Sequence, residues 1–186
     1  ENYDPTEAGR KVENFVYYLS NWYVRRSRRR FWKSESDADK LAAYTTLYQC
    51  LVTLAQLMAP FTPFLAEELY QNLVRSVAPD TPQSVHLTDF PVADGSKINQ
   101  QLSADIRLAM KIASLGRATR SQAGIKVRQP LPVNYLSSAS ASHRQQLVSA
   151  LERIKPQILE ELNIKDVMVV ADFNGLDDES LVTNSE

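Results

Sequence analysis

The chain has 186 residues and a net charge of −1, and 44% of its residues are hydrophobic and 23% are charged. This balance excludes a disordered or fibrous protein, and the length fits one domain with a small appendage. Cys50 is the single cysteine and His86 and His143 are the only histidines, which excludes a disulfide framework and a Cys/His zinc site. There is no glycine-rich phosphate loop and no apolar run long enough to cross a membrane, and we expect a cytoplasmic protein.

The first half of the sequence predicts three helices. Asp4 and Pro5 form a start signal, and apolar residues recur behind them at helical spacing as far as about Lys33. A polar turn precedes a second helix that ends at Pro60, and Thr62-Pro63 starts a third helix in the same way. The first helix carries a predicted buried face: Ala8, Val12, Phe15, Val16, Leu19 and Tyr23.

The second half predicts one more long helix and then a change of period. Several prolines between residues 78 and 97 predict a loop, and a helix follows from about Ile98 to a cap at Gly124. Apolar residues on odd positions over 125–135 predict a strand, which we expect to pair with a second strand over 164–171 around two helices.

These elements predict a mainly α fold. We expect a helical bundle over residues 1–124, a small α+β subdomain over 125–172 and a disordered acidic tail over 173–186. Pro130 and Pro132 lie in the first predicted strand and suit only a strand at the edge of a sheet, because proline cannot donate to a ladder.

The densest chemical signal lies at the end of the first helix, which holds six cations and no acid. At 100° per residue, several of these cations continue the apolar stripe, so that end must project into solvent or line a groove. Arginine and tryptophan there can bind phosphate and stack on bases, or the cations can simply be solvated at a helix C-terminus. The candidate nucleic-acid contacts are Trp22, Arg25, Arg26, Arg28, Arg29, Arg30, Trp32 and Lys33.

A second, weaker basic group surrounds Gly124 and consists of Arg117, Arg120, Lys126 and Arg128. We expect the last two to be exposed, either as phosphate contacts or as a solvated strand face. No catalytic and no metal-ligating constellation is predicted, since neither histidine has a nucleophile pattern beside it and adjacent carboxylates point apart on a helix.

The segment from Asn21 to Arg28, read N-W-Y-V-R-R-S-R, with Arg30-Phe31-Trp32 behind it, resembles the anticodon-binding domain of the isoleucyl-tRNA synthetases. The stretch L-M-A-P-F-T-P-F over 57–64 and the stretch G-I-K-V-R-Q-P-L over 124–131 resemble later segments of the same region. The resemblance covers nearly all of residues 3–170.

The resemblance implies a helical bundle that docks the anticodon stem and loop of tRNA(Ile), within a monomeric ligase that uses ATP and Mg²⁺. The remainder of the synthetase chain, with its catalytic and editing domains, is the implied second partner. This chain lacks H-I-G-H and K-M-S-K-S stretches, so we expect it to be non-catalytic and to bind no cofactor itself. Two alternatives stay open: the equivalent domain of a valyl- or leucyl-tRNA synthetase, and a helical protein-interaction bundle.

Overall fold

The structure is a computed structural model that describes residues 4–33, 37–138, 140–173 and 181–184. The chain divides into two compact units, over residues 1–93 and 94–186. We predicted a boundary near residue 124, but the fourth predicted helix packs against the helix that follows it and so belongs to the second unit. The predicted mainly α fold with a small α+β part is confirmed.

The described residues of unit 1 form four α-helices. They are α1 (Pro5–Tyr18), α2 (Arg25–Lys33), α3 (Asp37–Met58) and α4 (Pro63–Tyr70). Asp4 caps α1 as predicted, since its Oδ1 accepts hydrogen bonds from the backbone N–H groups of Thr6 and Glu7. A π-helical segment over Leu19–Val24 joins α1 to α2, and a second one over Gln71–Arg75 extends α4.

The core of unit 1 lies between α3 and α4. Ala55 and Ala66 are fully buried, which lets the two helices approach closely, and the Tyr70 hydroxyl donates to the carbonyl of Pro82 in the loop behind them. Glu67 fastens the same loop, because its carboxylate accepts from the Ser84 hydroxyl at 2.7 Å and the Val85 N–H at 3.1 Å. Residues Val85–Leu87, within the predicted loop, form a turn of 3₁₀ helix.

The predicted buried face of α1 is not buried in the structure. None of the residues of α1 is buried, and Phe15 and Val16 are 44% and 41% exposed. An apolar stripe on a helix indicates a face that favours burial, but it does not show which part of the protein covers that face.

Unit 2 combines two helices, α5 (Gln100–Gln122) and α6 (Ala141–Leu162), with a parallel sheet. Its strands β1 (Leu131–Ser137), β2 (Ile164–Val170) and β3 (Leu181–Asn184) are ordered β2-β1-β3. The expected pairing of β1 with β2 is confirmed, with Leu131 opposite Ile164, and α6 makes the crossover between them. We expected two helices between these strands, but α6 is one helix that runs through Pro156.

The sheet differs from the prediction because a third strand lies on the other side of β1. We expected β1 at an edge, but it is the central strand. Among the described residues, its pairing with β3 begins at Asn134, two residues beyond Pro132, so that pairing needs no donor from the proline. The predicted disordered tail lies largely outside the described residues, and its described part, Leu181–Asn184, forms β3.

Candidate nucleic-acid interface

The basic helix α2 has an inner and an outer face. Ser27 and Phe31 are 4% and 6% exposed and mark the inner face. There the ring centroids of Phe31 and of Tyr44 in α3 are 4.9 Å apart. The exposed side chains follow the opposite side at helical spacing: Arg25, Arg28, Arg29 and Trp32. These four residues form what we call the outer stripe.

The π-helical segment explains why the outer stripe differs from the one that we predicted. A wheel at 100° per residue places Arg26, Arg29 and Arg30 in line with Phe15 and Leu19 of the preceding turns. Hydrogen bonds over Leu19–Val24 span one residue more than in an α-helix, and one extra residue turns everything after it by roughly 100°. The sequence pattern carries no sign of this shift.

The aromatic and basic side chains of α2 and of the π-helical segment before it differ in how far they reach solvent. Trp32 is 75% exposed, which leaves its ring open for stacking on a base, whereas the half-buried Trp22 is covered by Arg26, whose guanidinium carbon lies 5.0 Å from the ring centroid. Arg25 donates from Nε to the carbonyl of Asn21 at 2.8 Å, one turn earlier. Lys33 is the last residue of α2, and its side chain lies outside the described part of the chain.

Arg30 is neutralised, against our expectation that the basic run has no acid near it. Its Nε lies 3.0 Å from both carboxylate oxygens of Asp39 in α3, and its Nη2 lies 2.7 Å from Oδ1. The hydrogen bond to Asp39 raises the pKa of Arg30 above its ordinary value. Asp39 is a first-turn acid of the next helix, so the pair follows from the hairpin between α2 and α3 and not from spacing along the sequence.

In the second basic group, the structure gives Arg117 and Arg120 structural partners. Arg117 Nη1 pairs at 2.8 Å with Glu161 of α6, whose side chain is 2% exposed. Arg120 is 1% exposed and donates to three backbone carbonyls, so its guanidinium does not reach solvent and the prediction of a tRNA contact there is replaced by a structural role. Helical spacing places Arg120 in line with the buried residues Ala109, Ile112 and Gly116, but it does not show that a cation there is buried.

Lys126 and Arg128 are exposed, as expected, but not on a strand. The residues before Leu131 form a turn, in which the N–H of Gln129 donates to the carbonyl of Lys126 at 2.9 Å. Within the described ranges, no three His, Cys, Asp or Glu side chains are grouped so as to hold a metal ion. None of the described helices is both long and apolar enough to cross a bilayer.

Comparison with known proteins identifies the family of this chain. A family model described as the anticodon-binding domain of tRNA ligase matches residues 1–135, which include α2 and the turn that carries Lys126 and Arg128. The chain belongs to this family.

Relatives named isoleucine–tRNA ligase match nearly the whole chain. Those of two strains of Dehalococcoides mccartyi are 63% identical over 91% of the chain and 56% identical over all of it. That of Thermus thermophilus is 50% identical over 91% of the chain. The chain spans only 16% to 18% of the length of these relatives.

Proposed function

We propose that this chain is the part of an isoleucine–tRNA ligase that binds the anticodon stem and loop of tRNA(Ile). Family membership supports the binding of tRNA, and the names of the relatives support the choice of isoleucine. The chain would supply docking surface and no chemistry, with activation of isoleucine by ATP and Mg²⁺ carried out elsewhere in the ligase.

The observation that carries the proposal is the outer stripe of α2. Three guanidinium groups on one helix face can form bidentate contacts with successive phosphates, and Trp32 at the end of the stripe offers a base a flat ring. If the cations only complemented the helix dipole, we would expect them near the last turn of α2. Arg25, however, is the first residue of the helix. Arg26 contributes charge from beside the stripe while it covers Trp22, whereas the charge of Arg30 is neutralised by Asp39.

The test is a triple variant that removes three positive charges, Arg25→Gln with Arg28→Gln and Arg29→Gln. A matched control removes three exposed cations elsewhere, Arg10→Gln with Lys97→Gln and Arg107→Gln. Both variants change the net charge equally, so that only the position of the charges differs. Binding of transcribed tRNA(Ile) is measured by fluorescence anisotropy over a series of salt concentrations.

Loss of three phosphate contacts flattens the slope of log K against log salt by roughly 2 to 3 units. The control variant should keep most of the wild-type slope. A triple variant that keeps its circular dichroism and binds with an unchanged slope would leave the solvated helix end as the better account. Wild-type chain that binds no tRNA would favour the protein-interaction bundle, and equal competition by tRNA(Val) or tRNA(Leu) would remove the assignment to isoleucine.

The wider setting is part of the same proposal. We place the chain in a monomeric cytoplasmic ligase, in which the remainder of the synthetase chain is its second partner. Two observations support the rest of the ligase as a partner: the chain spans a small part of its relatives' length, and the exposed apolar side chains of α1 suit burial against protein.

A further inference from the structure

The turn over residues 124–130, which we call the 124–130 loop, is held by two side chains from outside it. Arg120 donates from Nη1 to the carbonyls of Lys126 at 3.1 Å and Gln129 at 2.9 Å. Asn163 donates from Nδ2 to the two carbonyls between them, those of Val127 at 3.1 Å and Arg128 at 3.0 Å. Four successive carbonyls are therefore fixed by one guanidinium and one amide.

The two anchoring residues are themselves joined. Arg120 Nη2 donates to the carbonyl of Asn163 at 3.2 Å, and the same carbonyl accepts from the N–H of Leu131, where β1 begins. Asn163 ends α6 in the left-handed conformation with φ of 50°, which asparagine tolerates better than most residues. The loop is thus fastened to the point where α6 passes into β2.

Arg120 brings a positive charge under the loop with no carboxylate among its described partners. Isolated burial of a charge is costly, and here three carbonyl dipoles, those of Lys126 and Gln129 in the loop and that of Asn163, offset part of that cost. Their negative ends point inward to the guanidinium. The positive charge of Arg120 is therefore not cancelled by an acid, and it adds to the charges of Lys126 and Arg128 above it.

The inward carbonyls determine what the loop presents outward. In a trans peptide, the N–H points away from the C=O of the same unit, and no described peptide bond is cis. The N–H groups of Val127 and Arg128 therefore point away from Asn163 and Arg120, and no described residue accepts a hydrogen bond from either. Beside them stand the exposed side chains of Lys126 and Arg128. Two backbone donors and two cations on one turn suit a phosphate group.

We propose that the 124–130 loop is a second phosphate-contact site for the RNA backbone, and that Arg120 and Asn163 are the positioning residues that set its conformation. This inference rests on the proposed function and deepens it. Lys126, Arg128 and the N–H groups of Val127 and Arg128 touch the phosphate, whereas Arg120 and Asn163 act only through the loop.

The experiment combines one contact variant with one positioning variant. Lys126→Gln with Arg128→Gln removes both side-chain contacts, and Arg107→Gln with Lys165→Gln is its control, taken from exposed cations of the same unit. Asn163→Gly deletes the amide while glycine keeps the left-handed conformation without strain. Binding of transcribed tRNA(Ile) is measured over a salt series for each variant and for the contact and positioning changes combined.

We expect the contact variant to flatten the salt slope by roughly 1.5 units, since two contacts are lost. Asn163→Gly should weaken binding and speed hydrogen exchange at the Gln129 amide. The contact changes should then cost less in the Asn163→Gly background than in the wild type, because a disordered loop no longer places both cations together. In NMR spectra of the wild type, the Val127 and Arg128 amide signals should shift when tRNA is added.

Additive effects of the two changes would overturn the positioning role. A contact variant that binds like its control would overturn the site itself, and this surface variant is expected to fold even if Asn163→Gly does not. If the α2 triple variant loses binding while the loop variants do not, the further inference fails and the proposed function stands. If wild-type chain binds no tRNA, the proposed function fails first.

Discussion

Gly116→Ala tests how closely α5 packs on α6. A Cβ atom added at Gly116 would lie 2.5 Å from Cδ1 and 2.8 Å from Cδ2 of Leu162. Carbon atoms in ordinary contact are separated by about 3.5–4.0 Å, so the new methyl group overlaps both. Leu162 is fully buried at the end of α6, next to the hydrogen-bonded Asn163, and has little room to retreat.

Two opposing effects set the magnitude. Replacing glycine by alanine in a helix stabilises by about 1 kcal/mol, whereas overpacking a filled core costs about 1–3 kcal/mol. With two overlaps on a fully buried side chain, we expect the upper part of that range and a net loss of about 1–2 kcal/mol. In a unit of this size, each kcal/mol lowers the Tm by about 4–8 °C.

The matched control is Gly9→Ala in α1, where an added Cβ would meet nothing within 4 Å. This change should stabilise unit 1 by about 0.5–1 kcal/mol, since only the propensity term remains. Urea unfolding followed by circular dichroism gives both values. The packing of α5 on α6 would be refuted if Gly116→Ala stabilised the protein as Gly9→Ala does. Adding Leu162→Ala to Gly116→Ala should cost less than the two single losses together, because it makes room for the methyl group.

Two further outcomes follow from the ion pairs and hydrogen bonds of unit 1. Asp39→Asn releases Arg30 and adds one unit of positive charge beside the outer stripe, so tRNA binding should tighten with a salt slope steeper by up to about 0.9, and an unchanged slope would contradict this. Hydrogen bonds from Ser84, and then from Gln71, lower the pKa of Glu67 from its ordinary value of 4.5. Its stabilising effect is therefore present above about pH 4.5 and is lost as the pH falls through the lowered pKa. The loss of urea midpoint caused by Glu67→Gln should be full at neutral pH and should shrink progressively as the pH falls below 4.5. A loss that stays constant over the whole pH series would show that the charge of Glu67 is immaterial.

The sequence predicts those features that depend on neighbours in the chain. The start of α1 at Asp4-Pro5, the start of α4 at Thr62-Pro63 and the positive φ of Gly124 after α5 follow from local chemistry. The pairing of β1 with β2 follows from two apolar runs on either side of a helix. The basic character of α2 can also be predicted, because it depends only on the residue types in this segment.

The rest depends on contacts that sequence spacing does not express. The turn of α2 relative to α1 depends on a π-helical segment, and the neutralisation of Arg30 depends on a helix hairpin. Arg120 belongs to the buried stripe of α5, yet a cation on such a stripe is normally expected at the surface. Only the carbonyls of the 124–130 loop, which follow later in the chain, explain why it can be buried.

The parallel pairing of β1 with β2 also has a consequence for the order of folding. Leu131 and Ile164 pair across a segment that contains all of α6. The conformational entropy of bringing the two ends of this segment together is therefore lost before β1 and β2 form any hydrogen bond. The helix hairpins of unit 1 join near neighbours and need no such closure. We expect unit 1 to fold earlier and faster than unit 2, and to leave the ribosome first with its basic helix already formed.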